Sequence, residues 1–355
     1  MKKAASICFL SAILLWGCED APHFADFPIE EFGEISSPES FDLSIKDSPI
    51  DLKGANARFA ADVAYGRFGL NAFDIWMPES EVPTPLVLFF HGGGFTKGDK
   101  SKVYKHDTEI GIGIEQIQTL VQNNVAFATV NYRLLYEGDK QGVIRPLNDA
   151  KYALQFIRHH HKDLNIDPAR IALTGVSAGA GACLWVGLSD DMADSTHTDP
   201  VLRESTRVKG LALFATQSTY DANKWNEEVL PPEITDISGN AKEQFNKSLL
   251  RFYGIESIEE LETEELKEYC KKVEMLSFIS PDDPPVYIFN KQDFEPAWPW
   301  HTIPNIYHSP YHSVALRKNL IEQNVPHEVF IVAEDGKKPG KGQMPEDFLI
   351  KVLNQ

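Results

Sequence analysis

Cysteine is scarce in this chain. Four in 355 residues, with no paired spacing, exclude the disulfide lattice of a small secreted scaffold. Positive charge is short as well: 34 Lys and Arg stand against 52 Asp and Glu, a net charge of −18, which argues against nucleic acid as a partner. Long apolar runs are missing too. The best, Ala4 to Trp16, falls well short of the about 20 residues that a membrane-spanning helix needs. No internal repeat is visible. What remains, 43% hydrophobic and 11% aromatic residues, can build a sizeable core and excludes wholesale disorder.

The short apolar run has a meaning of its own. It follows Lys2 and Lys3 and ends in Gly17-Cys18, so positive start, apolar middle and small residue before a cut make residues 1–17 a signal peptide. Leu15-Trp16-Gly17-Cys18 resembles a bacterial lipobox, with Trp16 bulkier than is usual there. Cys18 is then the expected lipid attachment. The mature protein is expected to be an exported, membrane-anchored lipoprotein on the periplasmic or cell-surface side. Residues 18–58 are polar and acidic with Pro, Ser and Gly punctuation, and read as a tether.

From residue 59 to 355 the patterning is that of one α/β domain. Phe73, Ile75 and Met77 alternate until Pro78 ends the run, as in a half-buried strand. Leu86–Phe90, Val125–Val130 and Ile171–Thr174 are continuous apolar runs, the mark of strands buried on both faces of a parallel sheet. Between the last two, Ala150, Ala153, Leu154 and Ile157 share one helix face, with Asn148 and Asp149 placed to cap its start. Further strands are expected at Val208–Phe214, Val286–Phe289 and Glu328–Val332. Strands alternating with helices imply a mainly parallel central sheet with helices on both faces. Residues 218–280 break the rhythm with Pro231-Pro232 and an acidic helix, and read as a helical cap inserted over one end of the sheet.

Two turns carry chemistry. Gly175-Val176-Ser177-Ala178-Gly179 follows an apolar strand directly and is the pattern of a nucleophile elbow, where a strained turn lifts the serine hydroxyl above the sheet. His91-Gly92-Gly93-Gly94 also follows a strand directly. Its glycines leave backbone N–H groups free to converge on one point, which an oxyanion hole requires. The Gly-Lys-Ser/Thr ending of a phosphate loop is absent, for Phe95-Thr96-Lys97-Gly98-Asp99 follows.

With these residues the sequence resembles the α/β-hydrolase carboxylesterases of the hormone-sensitive-lipase and BD-FAE-like (Bacteroides-type feruloyl esterase) branches. Asn131-Tyr132-Arg133-Leu134 and Ile166-Asp167-Pro168-Ala169-Arg170-Ile171 also look like that family's connecting segments. The resemblance implies Ser177 as nucleophile, with Gly93, Gly94 and Ala178 as oxyanion donors and His91 as a brace for the loop. It implies no cofactor and no metal. An exported member would suit deacylation of carbohydrate or phenolic esters, a small-molecule or polysaccharide partner.

The departures from that family concern the base and the acid. The family's histidine follows the last strand, but none of the 11 histidines lies beyond His327. His301, His308 and His312 fall in the long loop after the next-to-last strand, and loops at the carboxyl ends of strands gather at the active site. A relocated base is consistent with triads being defined by geometry. His308 is favoured, because His312 reads as a helix N-terminus before Val314, Leu316 and Leu320. Asp293 is the first choice for the acid, with Glu295, Asp335 and Glu334 as alternatives. A second reading stays open: a lipoprotein that keeps the pocket, has lost its base and acts as a binding protein.

Overall fold

The computed structural model describes residues 33–105, 111–231, 239–294 and 306–355. Cys18, Glu295 and His301 lie outside the described residues. Among the described residues a nine-stranded sheet runs in the order β1-β2-β3-β5-β4-β6-β7-β8-β9. Three antiparallel pairs open it, from β1 (Ile45–Lys46) through β2 (Ala57–Ala64) and β3 (Ala72–Pro78) to β5 (Ala126–Val130). From β5 the sheet is parallel through β4 (Thr84–Phe90), β6 (Ile166–Val176), β7 (Leu211–Phe214), β8 (Val286–Asn290) and β9 (His327–Ile331).

Alternation along the strands divides the core in two. Leu86, Leu88 and Phe90 of β4 face helices Ile144–His159 and Ala178–Leu188. Val87 and Phe89 face the other way, toward Ile117, Leu120 and Val121 of helix Ile114–Gln122 and Phe348, Leu349 and Val352 of helix Pro345–Leu353. All seven residues of β4 and all five of β5 are buried, which is why both read as unbroken apolar runs.

The register places the chemistry. In the β4–β6 pair Phe90 lies opposite Gly175, so the His91 turn and the Ser177 turn leave the sheet side by side. Val176 lies opposite Phe214 and Phe214 opposite Phe289, which brings the end of β8 into the same row.

Two readings of the sequence need correction. The helix expected to start at Asn148 and Asp149 begins at Ile144. Asp149 lies inside it, fully buried, and its carboxylate grips the Arg133 guanidinium at 2.7 and 2.9 Å instead of capping. The span 18–58 is not a free tether throughout. From Gly33 it lies on the domain: the Gly33 carbonyl accepts from Arg133 Nη1 at 2.9 Å, Phe41 stacks on His160 at 4.2 Å, and Trp76 Nε1 donates to Ser48 Oγ at 2.9 Å. Apolar residues there are too sparse to make a period, so the sequence shows only polarity.

The inserted segment holds helices Gly239–Tyr253 and Glu264–Lys271 around a small core of Leu249, Tyr253, Leu266 and Cys270. Cys183 and Cys270 are both buried free thiols.

Candidate active site

Ser177 sits between β6 and helix Ala178–Leu188 with φ 54° and ψ −121°, a conformation that non-glycine residues avoid unless their surroundings impose it. Its N–H donates to the Phe214 carbonyl at 2.9 Å, and its own carbonyl accepts from Gly181 N–H at 3.0 Å. The turn closes only because its flank is bare: a Cβ on Gly179 would lie 2.1 Å from the Phe90 carbonyl oxygen. As the first residue of its helix, Ala178 has an N–H with no intrahelical acceptor.

The neighbouring turn is built from backbone. Gly93 has φ +123°, and a Cβ there would fall 1.9 Å from the Lys97 carbonyl oxygen, which only glycine permits. Gly93 offers its carbonyl to the N–H groups of Thr96 and Lys97 at 3.1 and 3.2 Å, and Gly94 lies open at the surface beside Ala178 and Ser177. His91 supports this turn from beneath. Its Nδ1 donates to the Gly92 carbonyl at 2.8 Å, its ring stacks on Tyr132 at 4.3 Å, and its carbonyl accepts from Tyr132 O–H at 2.6 Å. Burial pushes His91 down to about 4, so the ring is neutral and its place is structural. Asn131 ties in the far end of the turn: Lys100 N–H donates to its side-chain carbonyl at 2.6 Å, and its amide donates to Asp99 at 2.9 Å.

The third strand end supplies the base candidate. His308 Nε2 lies 2.7 Å from Ser177 Oγ. Two backbone clamps hold the segment: Gln217 Nε2 donates to the Tyr307 carbonyl at 2.6 Å, and Asn290 Nδ2 donates to the His308 carbonyl at 3.1 Å. His308 is partly buried, and this desolvation lowers it to about 4. It is therefore neutral at pH 7, with Nε2 able to accept the serine proton.

The other candidates fall elsewhere. His312 does not reach Ser177. It is fully buried, its Nδ1 accepts from Ser218 N–H at 3.3 Å, its Nε2 donates to the Ile306 carbonyl at 3.2 Å, and Trp225 packs edge-on against it at 4.9 Å. Asp293 is exposed, and among the described residues no carboxylate is hydrogen-bonded to His308. Asp335 ends the single turn Val332–Asp335 after β9, and Glu334 beside it is bonded to Arg317 at 2.6 Å. The structure thus unites Ser177 with His308 and leaves Asp293 apart from them.

A cavity of ≈ 200 Å³ opens at Ser177. Gly94 and Ala178 border it on the sheet side; Tyr220, Trp225 and Phe252 of the insertion and Tyr307 from the segment after β8 wall it elsewhere. This is the usual build of a ligand site, apolar walls around a few directed polar groups.

The BD-FAE family model matches residues 73–294, more than half of the chain. The chain belongs to the BD-FAE family. It is 26% identical over 160 residues to a probable isoprenylcysteine alpha-carbonyl methylesterase of Arabidopsis thaliana, a stretch covering 45% of this chain and 30% of that protein. It is 33% identical over 119 residues to a chlorogenic acid esterase of Aspergillus niger, covering 30% of this chain and 22% of that one. It thus spans less than a third of the length of these two relatives. An acetyl ester-xyloside bifunctional hydrolase from Caldicellulosiruptor lactoaceticus aligns with a TM-score of 0.54 over 91% of this chain and 96% of that one, at 19% identity. That likeness is one of fold, the α/β-hydrolase fold.

Within this BD-FAE chain, sequence reasoning passed over Asn290, Gln217 and the aromatic wall. Asn290 had a signal, as the polar residue that ends an apolar strand where the family's acid loop begins. The aromatic residues had none, because Tyr220, Trp225 and Phe252 follow no strand or helix period in the insertion and Tyr307 lies beyond it.

Proposed function

We propose that this chain is a serine carboxylesterase. The observation that carries the reading is the 2.7 Å contact between Ser177 Oγ, on the turn after β6, and His308 Nε2, in the segment between β8 and helix Pro310–Glu322. Ser177 Oγ attacks the ester carbonyl while its proton passes to His308 Nε2. The N–H groups of Gly94 and Ala178, with Gly93 behind them, receive the charge that develops on the carbonyl oxygen. The alcohol leaves with the proton from His308, and water, activated by the same nitrogen, releases the acid and restores the serine. Aromatic walls favour a planar or apolar group beside the ester, in line with carbohydrate-borne or phenolic esters as substrates. With Asp293 exposed and apart from the pair, Glu295, outside the described residues, is the carboxylate proposed to orient His308. The reading of a binding protein rests on the absence of a histidine after the last strand; the contact of a histidine nitrogen with the serine hydroxyl favours the esterase. Export and lipid attachment at Cys18 belong to the same proposal on the strength of residues 2–18; palmitate labelling that survives Cys18→Ala would sink that part.

The test is hydrolysis of 4-nitrophenyl acetate together with labelling by a fluorophosphonate. Ser177→Ala and His308→Ala are each expected to lower kcat/KM by at least about a thousandfold. A native protein that neither turns over the ester nor takes the label contradicts the proposal.

A further inference from the structure

Arg251 is the one charged side chain among the residues that line the cavity at Ser177. It stands in the last turn of helix Gly239–Tyr253. Its Nε is buried and makes no hydrogen bond, and no ion pair joins Arg251 to a carboxylate among the described residues. Three other cations of the insertion have carboxylate partners, Lys224 with Glu228 and Glu274, Lys267 with Glu264 and Lys271 with Glu268, and none of the three lines the cavity. So a chain with 52 acidic residues leaves this guanidinium without a carboxylate among the described residues, on the wall of the cavity at Ser177.

An arginine there is costly unless a partner arrives. Its planar fork fits a carboxylate with two parallel hydrogen bonds, and such bonds are strongest where aromatic walls keep water away. The neighbouring walls are Tyr220, Trp225, Phe252 and Tyr307, and none brings a negative charge. The missing partner is then a group on the substrate.

We propose that Arg251 makes the esterase selective for esters that carry a free carboxylate apart from the scissile bond. This rests on the serine esterase reading above and adds the substrate's charge to it. The carboxylate sits either on the acyl part or on the alcohol part, and the two are separable by experiment.

Two matched pairs serve as probes, each rate divided by that for hydroxide. For the acyl side they are 4-nitrophenyl hydrogen glutarate and 4-nitrophenyl valerate; for the alcohol side, 4-acetoxybenzoate and its methyl ester. In the native protein kcat/KM for the anionic member of one pair is expected to exceed that of its neutral partner by about tenfold or more. Arg251→Met is expected to bring that ratio close to one, and Arg251→Lys to keep part of it. Should Arg251→Met fail to fold, inhibition of native turnover by benzoate but not by benzyl alcohol is the equivalent readout. Ratios at or below one in both pairs, or a ratio that Arg251→Met leaves in place, overturn the inference while the esterase reading stands. Turnover of none of the four esters overturns both.

Discussion

Ser177 and His308 are 131 residues apart in the chain and 2.7 Å apart in the fold. At the scale of the single residue, the protonation of His308 decides whether the contact can work. Burial holds it near 4 rather than 6.5, so the base form is present throughout the neutral range and is lost only in strong acid. The acid limb of kcat/KM against pH is therefore expected near 4, with activity rising through that value and level above it. A limb at or above 6.5 would mean that a carboxylate raises the histidine, which singles out Glu295 for replacement by Gln. Ser177 announces itself through the glycines that its turn requires. His308 emerges only by elimination, because a histidine in a loop carries no period. That no described carboxylate bonds His308 is a matter of distance, which spacing alone does not encode.

At the scale of elements, the segment bearing His308 is held by its backbone. Asn290 ends β8 fully buried; its amide donates to the His308 carbonyl at 3.1 Å, and its side-chain carbonyl accepts from Gln292 N–H at 2.9 Å. Asn290→Ala is expected to lower kcat about tenfold while KM moves little, since the clamp positions the base and does not touch substrate. An unchanged kcat would sink the assignment. The elements themselves differ in how plainly the sequence gives them away. β4 and β5 stand out because every residue in them is buried. Helix Ile144–His159 buries Ala150, Ala153, Leu154 and Ile157 as the period expects but is covered on its other sides as well, and it starts earlier than the sequence suggests, because Asp149 looks like a cap and instead serves Arg133. That pair is closed by tertiary contact, and no local rule anticipates it.

At the scale of the molecule, three enclosed histidines set the response to acid. His91 and His308 are lowered to about 4 and His312 to about 3, all mainly by burial. Above pH 6.5 they are neutral whether the chain is folded or not. Between 6.5 and 4 the unfolded chain binds protons that the folded one refuses, so stability falls as pH falls through that window. The urea midpoint at pH 4.5 is expected well below that at pH 7, by an amount worth a few kcal/mol. His312→Asn should flatten the slope, and a midpoint that does not move with pH refutes the account. The strip from Gly33 to Ser48 bears on where this domain can be cut. A fragment that begins at residue 59, where the strand pattern starts, would take an acceptor from the buried Arg133 and uncover the Phe41 site on His160. Arg133 is the residue that grips Asp149 at the root of the helix packed behind the elbow. Trimming the molecule to its α/β-hydrolase-fold core would therefore loosen the support of Ser177 from a distance, although none of residues 33–58 lines the cavity.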